Sequence, residues 1–184
     1  MTIHSTTIEI VKGSVVDQDV DAIVNAANTA MQGGGGIDGA IHRAAGKGLM
    51  ADLRRVAPNG AKTGAAVITG GHNLKQRYII HTPGPAWKGG GAKEAEKLAS
   101  CYRSCLEKAE SKGLKSIAFC SISTGVYAYP LPLAAPIALR AVTEYLDAHP
   151  DTSLERVVFA MFQTHEFQAF TKAWDAIQTD VEAE

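Results

Sequence analysis

The chain has 184 residues, 46% of them hydrophobic and 20% charged, which predicts one ordinary soluble domain able to bury its own core. A net charge of −1 argues against the basic stripe of a duplex nucleic-acid binder, and the pair Arg54–Arg55 reads as a solvated helix face. The opening MTIHSTTIEIVKG lacks a basic-then-apolar leader, and no apolar run nears the roughly 18 residues of a membrane span, so a cytoplasmic protein is expected.

Strand-like and helix-like patterns alternate along the chain. Thr6–Val11 alternates with β-branched residues, and Asp21–Asn25 carries the short apolar run AIV. Ile37–Ala45 and Lys47–Val56 read as helices ending at the turn Pro58–Asn59–Gly60. Two short strands follow, Ala65–Thr69 and Tyr78–Thr82. Ala92–Lys112 is the clearest helix, with Ala95, Leu98, Ala99, Tyr102, Leu106 and Ala109 on one face and Gly113 as its C′ residue. Ile117–Ile122 is a buried-type strand, Leu133–Leu146 a helix, Val157–Phe162 a last strand and His165–Ile177 a last helix. Crossovers of helical length between short apolar strands predict a largely parallel sheet covered on both faces, an α/β/α sandwich. Cys101, Cys105 and Cys120 are an odd, sparse set that reads as reduced thiols, with too few ligands beside them for a metal site.

Ligands of such sheets bind beyond the carboxyl ends of the strands, and two loops leave those ends. The first, Asn25–Gly46, contains four consecutive glycines, Gly33–Gly36, just before a helix. Backbone N–H groups without Cβ obstruction, together with the positive end of a helix dipole, suit an anion. The second, Ser123–Pro130, offers Ser123, Thr124 and Gly125 as donors and Tyr127 and Tyr129 as walls. Two donor-rich loops on one sheet edge suit a ligand with two linked phosphates. A literal G-x-G-x-x-G occurs at Gly34, Gly36 and Gly39, but the glycines stand too far behind the preceding strand. The downstream acid, Asp52, lies in a helical pattern, so a Rossmann dinucleotide site is disfavoured.

Polar residues inside the first loop suggest chemistry as well as binding. Asn25 and Asn28 flank two alanines, and Asp38 opens the helix with His42 one turn on. Asp38 reads equally as a dipole-compensating cap or as a group beside the bound anion that positions a water. His42 reads as a structural histidine.

Together, DAIVNAAN, GGGGIDGAIHRAAG and STGVYAYP resemble the macrodomain family, specifically the MacroD-type hydrolases of ADP-ribose derivatives, over nearly the whole chain. The resemblance implies a single macrodomain, a three-layer α/β/α fold with a mixed, largely parallel sheet, and ADP-ribose in a cleft across its edge. Loop Gly33–Gly39, with Gly35, Gly36 and Ile37, would line the diphosphate and distal ribose. Loop Ser123–Tyr127, including Thr124, Gly125 and Val126, would close over the diphosphate, and Tyr127 would pack near the distal ribose. Asn28 and Asp38 match the residues tied to catalysis: Asn28 would orient ribose hydroxyls and Asp38 would align the attacking water. Asn25 would belong to the binding site. The implied reactions release acetyl from O-acetyl-ADP-ribose and ADP-ribose from acidic side chains of ADP-ribosylated protein, without cofactor or metal. A non-catalytic ADP-ribose reader or a regulatory module is the alternative.

Two departures from the family pattern stand out. Where the family usually has Gly-Asp-Ile, with the aspartate facing the adenine amino group, this chain has KGSVV, placing Ser14 and Val15 there. A neutral hydroxyl replaces a charge, so weaker or less adenine-selective binding is expected. Phe162 reads either as a partner for adenine or as a core aromatic. Ala128 replaces the glycine usual in the second loop.

Overall fold

The computed structural model describes residues 1–183. Seven strands form one sheet: β1 (Thr2–Ile3), β2 (Thr6–Lys12), β3 (Ala22–Ala27), β4 (Val67–Gly70), β5 (Tyr78–Pro83), β6 (Ser116–Phe119) and β7 (Arg156–Met161). Their spatial order is β1-β2-β7-β6-β3-β5-β4. The inner pairs are parallel, and both edge strands, β1 and β4, run antiparallel to their neighbours. The largely parallel sheet read from the residue patterns is therefore present, and it is mixed as the family resemblance implies.

Five helices cover it: α1 (Gly36–Ala45), α2 (Gly48–Val56), α3 (Glu94–Ser111), α4 (Leu131–Ala148) and α5 (Thr164–Glu182). Helices α1 and α2 pack together against β3 and β4, while α3, α4 and α5 form a continuous row. The apolar stripe of α3 is buried through Leu98, Cys101, Tyr102, Cys105, Leu106 and Ala109. Gly113, at φ +64°, ends this helix in a left-handed turn. Leu114 N–H reaches back to Ala109 O, and Gly113 N–H to Glu110 O, so the last carbonyls are satisfied. Central strands buried on both faces are nearly continuous apolar runs, Ala22–Val24 in β3 and Val157–Met161 in β7. Between the layers, Tyr102, Phe119, Phe159 and Phe170 form an aromatic cluster with centroid separations of 5.1–6.3 Å.

Several element bounds differ from expectation, each for a local reason. β1 is only two residues long, too short to carry a pattern. β6 stops at Phe119 rather than Ile122, because Cys120–Ile122 leave the sheet to enter the second loop. α4 begins at Leu131, two residues early, since Pro132 is permitted in a first turn. α5 runs on to Glu182 past its last buried residue, Ile177.

One feature of the sheet positions the site. β3 and β6 are paired only at Ala22–Ile117 and Ile23–Ala118, after which their carboxyl ends are no longer paired. The loops that follow β2, β7, β6 and β3 all emerge along this same edge.

Candidate active site

A cleft of about 730 Å³ opens at that edge, within the size range of small-molecule sites. Four adjacent parallel strands each contribute one wall. Ser14 and Val15 follow β2; Phe162, Gln163 and Glu166 follow β7; Cys120 to Tyr127 follow β6; Asn28 and Gly34 to Asp38 follow β3. Strands lie about 4.8 Å apart, so the cleft crosses three such steps, about 14 Å.

At the β2–β7 end, Ser14 is the N-cap of a 3-10 turn at Val15–Asp17, its Oγ accepting from Val16 N–H at 3.3 Å. Its backbone oxygen accepts from Gln18 Nε2. The hydroxyl thus already serves a structural bond and keeps only part of its acceptor capacity. Val15 is buried below it, while Phe162 is 67% exposed and lines the cleft. Exposure rules out the core-aromatic reading of Phe162.

In the first loop, Gly35 is the N-cap of α1, and ideal Cβ atoms at Gly35 and Gly36 meet nothing within 4 Å. Gly36 also has φ +57°, a conformation that side chains disfavour. Gly39 serves packing instead, because a Cβ there would lie 2.6 Å from Gly34 O. Ile37 and Ala40 continue the wall along the first turn of α1.

Asp38 sits in that turn yet makes no capping bond. Only 5% exposed, it receives Asn25 Nδ2–H on Oδ1 at 2.8 Å. His42 Nε2 lies 3.3 Å from the same oxygen but is not aligned for a hydrogen bond. Asn28 donates through Nδ2 to Gly33 O at 2.9 Å, which pins the loop. Its Oδ1 is buried and has no partner among the described residues. This leaves an oriented acceptor on a residue that lines the cleft beside Asp38.

Asn25 corrects an expectation. It is completely buried and is not part of the cleft wall; it stands behind Asp38. Its Nδ2 also lies 3.0 Å from His81 Nδ1, and His81 Nε2 lies 2.9 Å from Thr69 Oγ1. Burial pushes His81 down from 6.5 to about 3, with the neighbouring His42 adding to the effect. The ring is therefore neutral at pH 7. Neither His81 nor Thr69 stood out in the sequence. The available signal was a polar pair, His81–Thr82, closing an apolar strand at the edge where the cleft lies.

The second loop is held in a less common backbone conformation. Ser123 and Ala128 have φ of +68° and +58°, positions costly for residues with a Cβ. Ser123 Oγ is buried without a partner among the described residues and lines the cleft, as do Thr124, Gly125 and Tyr127. Val126, at the tip, is 97% exposed. Trp87 N–H donates to Tyr127 O at 2.8 Å, and the Trp87 ring packs on Tyr129 with centroids 4.7 Å apart. The segment carrying Trp87 is itself fixed by Glu94, which accepts from the N–H groups of Lys88, Gly90 and Ala92. Burial opposes ionisation of Glu94, but these donors overcome it and hold its carboxyl at about 2.

The three thiols are core groups. Cys101, Cys105 and Cys120 are buried, and burial raises Cys101 to about 11 and Cys120 to about 12. Among the described residues no helix is long and apolar enough to cross a membrane.

An α/β/α sandwich with glycine-rich and serine/threonine-rich loops facing each other across a split sheet edge places the cleft where open α/β sheets bind their ligands. Residues 24–138 match the Macro domain family. A macro domain-containing protein of Caldanaerobacter subterraneus subsp. tengcongensis is 47% identical, covering 92% of this chain and 97% of that protein. One from Mesorhizobium japonicum is 50% identical over 93% and 95%. Among solved structures, the Oceanobacillus iheyensis macrodomain with ADP superposes with TM-score 0.90 at 39% identity, covering 98% of this chain and 96% of that one. The Trypanosoma brucei macrodomain in complex with ADP-ribose gives TM-score 0.82 at 44% identity, covering 90% and 68%. The chain belongs to the macrodomain family.

Proposed function

We propose that this macrodomain binds ADP-ribose and hydrolyses its esters, releasing acetate from O-acetyl-ADP-ribose or an acidic protein side chain from its mono-ADP-ribosyl adduct. The observation that carries the reading is the pairing, in one cleft, of the buried Asp38 carboxylate and the unpartnered Asn28 Oδ1. A module that only holds ADP-ribose has no use for a carboxylate fixed next to a hydroxyl acceptor. ADP and ADP-ribose in the two related structures support the choice of ligand.

In this reading adenine lies between Val15 and Phe162, the diphosphate between Gly35–Ile37 and Ser123–Val126, and the distal ribose against Asn28 and Tyr127. The amides near the N-terminus of α1 and the unpartnered Ser123 hydroxyl face the phosphate oxygens, while the Thr124 hydroxyl is bonded to Ser121 and holds the loop. Asn28 Oδ1 accepts from a distal-ribose hydroxyl and sets the sugar's orientation. Asp38, with Oδ1 held by Asn25, directs a water at the acyl carbon through its other oxygen. The water oxygen bonds to that carbon, the acyl–O bond to ribose breaks, one proton of the water passes to the departing ribose oxygen, and the other is released as the product leaves as a carboxylate. A carboxylate is a weak base in water, so the phosphates share in activating the nucleophile; attack at the sugar carbon is the variant for protein adducts. Confinement to the cytoplasm fits the reading, as the reduced state of such buried thiols requires no oxidising compartment.

Wild type and Asp38→Ala are to be incubated with O-acetyl-ADP-ribose and with mono-ADP-ribosylated protein. Product release should fall by about 10²-fold or more in the variant, with ADP-ribose affinity by calorimetry changed only severalfold. Wild type that binds ADP-ribose but releases nothing from either substrate makes the protein a reader.

A further inference from the structure

We infer that His81 and Thr69, neither of which lines the cleft, are positioning residues that fix the Asn25 amide and through it the orientation of Asp38. The inference rests on the hydrolase reading above. Its geometry is a single file of buried groups across three adjacent strands: Thr69 on β4, His81 on β5 and Asn25 on β3. All three are nearly or completely inaccessible.

Hydrogen-bond direction can be followed from one end. Thr69 Oγ1 donates to Gly70 O at 3.2 Å, so towards His81 the hydroxyl oxygen acts as an acceptor. His81 Nε2 must then carry the proton, donating to Thr69 Oγ1 at 2.9 Å. A neutral imidazole has one N–H, so Nδ1 is left as an acceptor. It faces Asn25 Nδ2 at 3.0 Å. The second hydrogen of that amide goes to Asp38 Oδ1 at 2.8 Å. Both amide hydrogens are thus used, and Asn25 Oδ1 is left buried without a partner among the described residues.

The reverse amide orientation would bring Asn25 Oδ1 against both the Asp38 carboxylate and the Nδ1 lone pair. It is compatible only with a protonated Asp38 and the other imidazole tautomer. Thr69 therefore selects the tautomer, the tautomer selects the amide orientation, and the amide presents a donor to ionised Asp38. One carboxylate oxygen is occupied, and the other is left for the water. The orphaned Asn25 Oδ1 is the cost of this arrangement, since a buried acceptor without a partner is unfavourable.

The test uses the intact chain, with Thr69→Val removing the acceptor and Thr69→Ser keeping it. Long-range 1H–15N correlation at neutral pH should show His81 as the Nε2–H tautomer in wild type and Thr69→Ser, with a mixture or the other tautomer in Thr69→Val. Turnover of O-acetyl-ADP-ribose should drop on the order of tenfold in kcat for Thr69→Val, with ADP-ribose Kd within about twofold and Thr69→Ser close to wild type. Wild-type His81 found protonated or as Nδ1–H overturns the inference, and so does a Thr69→Val enzyme with normal kcat. Equal losses in kcat and affinity also overturn it, because they mark general damage. The wild-type tautomer needs no variant, so a valine variant that fails to fold leaves the inference decidable. Should wild type hydrolyse nothing, the functional reading falls while the tautomer still decides the network.

Discussion

The two ends of the cleft are built on opposite principles. At the β3 end, Asp38, Asn25, His81 and Thr69 are buried and joined by hydrogen bonds of 2.8–3.0 Å, and half-buried Asn28 is pinned separately to Gly33 O. At the β2–β7 end, Ser14 is tied up as a cap and Phe162 offers an exposed ring. A buried polar network fixes geometry at the expense of desolvation, and every group removed leaves another unsatisfied. An exposed apolar contact is tolerant of small displacement. Orientation is thus enforced where we place the reacting bond and left loose where we place the base.

Protons should distinguish the ends most strongly. His81 is depressed to about 3 in the folded state, so below its unfolded value of about 6.5 the unfolded chain binds a proton that the folded one refuses. Its contribution to stability is present above that value and is lost as pH falls toward the folded value. At pH 5 the loss should reach about 2 kcal/mol. Urea denaturation of wild type and His81→Gln at pH 7 and pH 5 reads it; the pH difference should shrink in the variant. An unchanged difference would remove the buried histidine from the account.

A smaller effect is expected at the adenine end. Phe162→Ala should weaken ADP-ribose binding by about 1–2 kcal/mol while leaving kcat for bound substrate nearly intact, measured by calorimetry and saturating turnover. A fall in kcat with unchanged affinity would erase the distinction between the ends. Smallest is Ser14→Asp, which supplies a charged acceptor for an adenine amino group. It should tighten ADP-ribose by about 1 kcal/mol over the corresponding inosine diphosphate ribose, in competition calorimetry. A wild type that already prefers adenine strongly would show that Ser14 suffices.

Legibility in the sequence followed the same divide. Alternating strand and helix patterns exposed the sandwich, because apolar spacing follows directly from which face is buried. The glycine run and Ser123–Tyr127 pointed to the cleft through their placement, two donor-rich loops leaving the carboxyl ends of parallel strands, one of them just before a helix. Asn25 misled, because type and spacing cannot distinguish an asparagine facing a ligand from one behind a carboxylate. His81 and Thr69 escaped notice for a related reason. Their partners lie on neighbouring strands: His81 pairs in register with Asn25, 56 residues away in the chain. Residue type and position alone do not separate a cap from a group beside the ligand for Asp38; in the fold its Oδ1 is bonded to Asn25 and not to the helix N-terminus.

The order β2-β7-β6-β3 has a consequence for folding. Ser14 and Phe162 face one cleft from opposite ends of the sequence, and they meet only when Thr7–Lys12 zips in parallel along Arg156–Met161. That closure spans nearly the entire chain, a contact of high order formed at a large loop-closure cost. A partly folded chain therefore has no complete cleft, and a ligand that spans it binds only the finished molecule. At a hundred times its dissociation constant such a ligand would add about 2.7 kcal/mol to the whole fold, so occupancy at the cleft would be felt as far away as the β1 edge of the sheet.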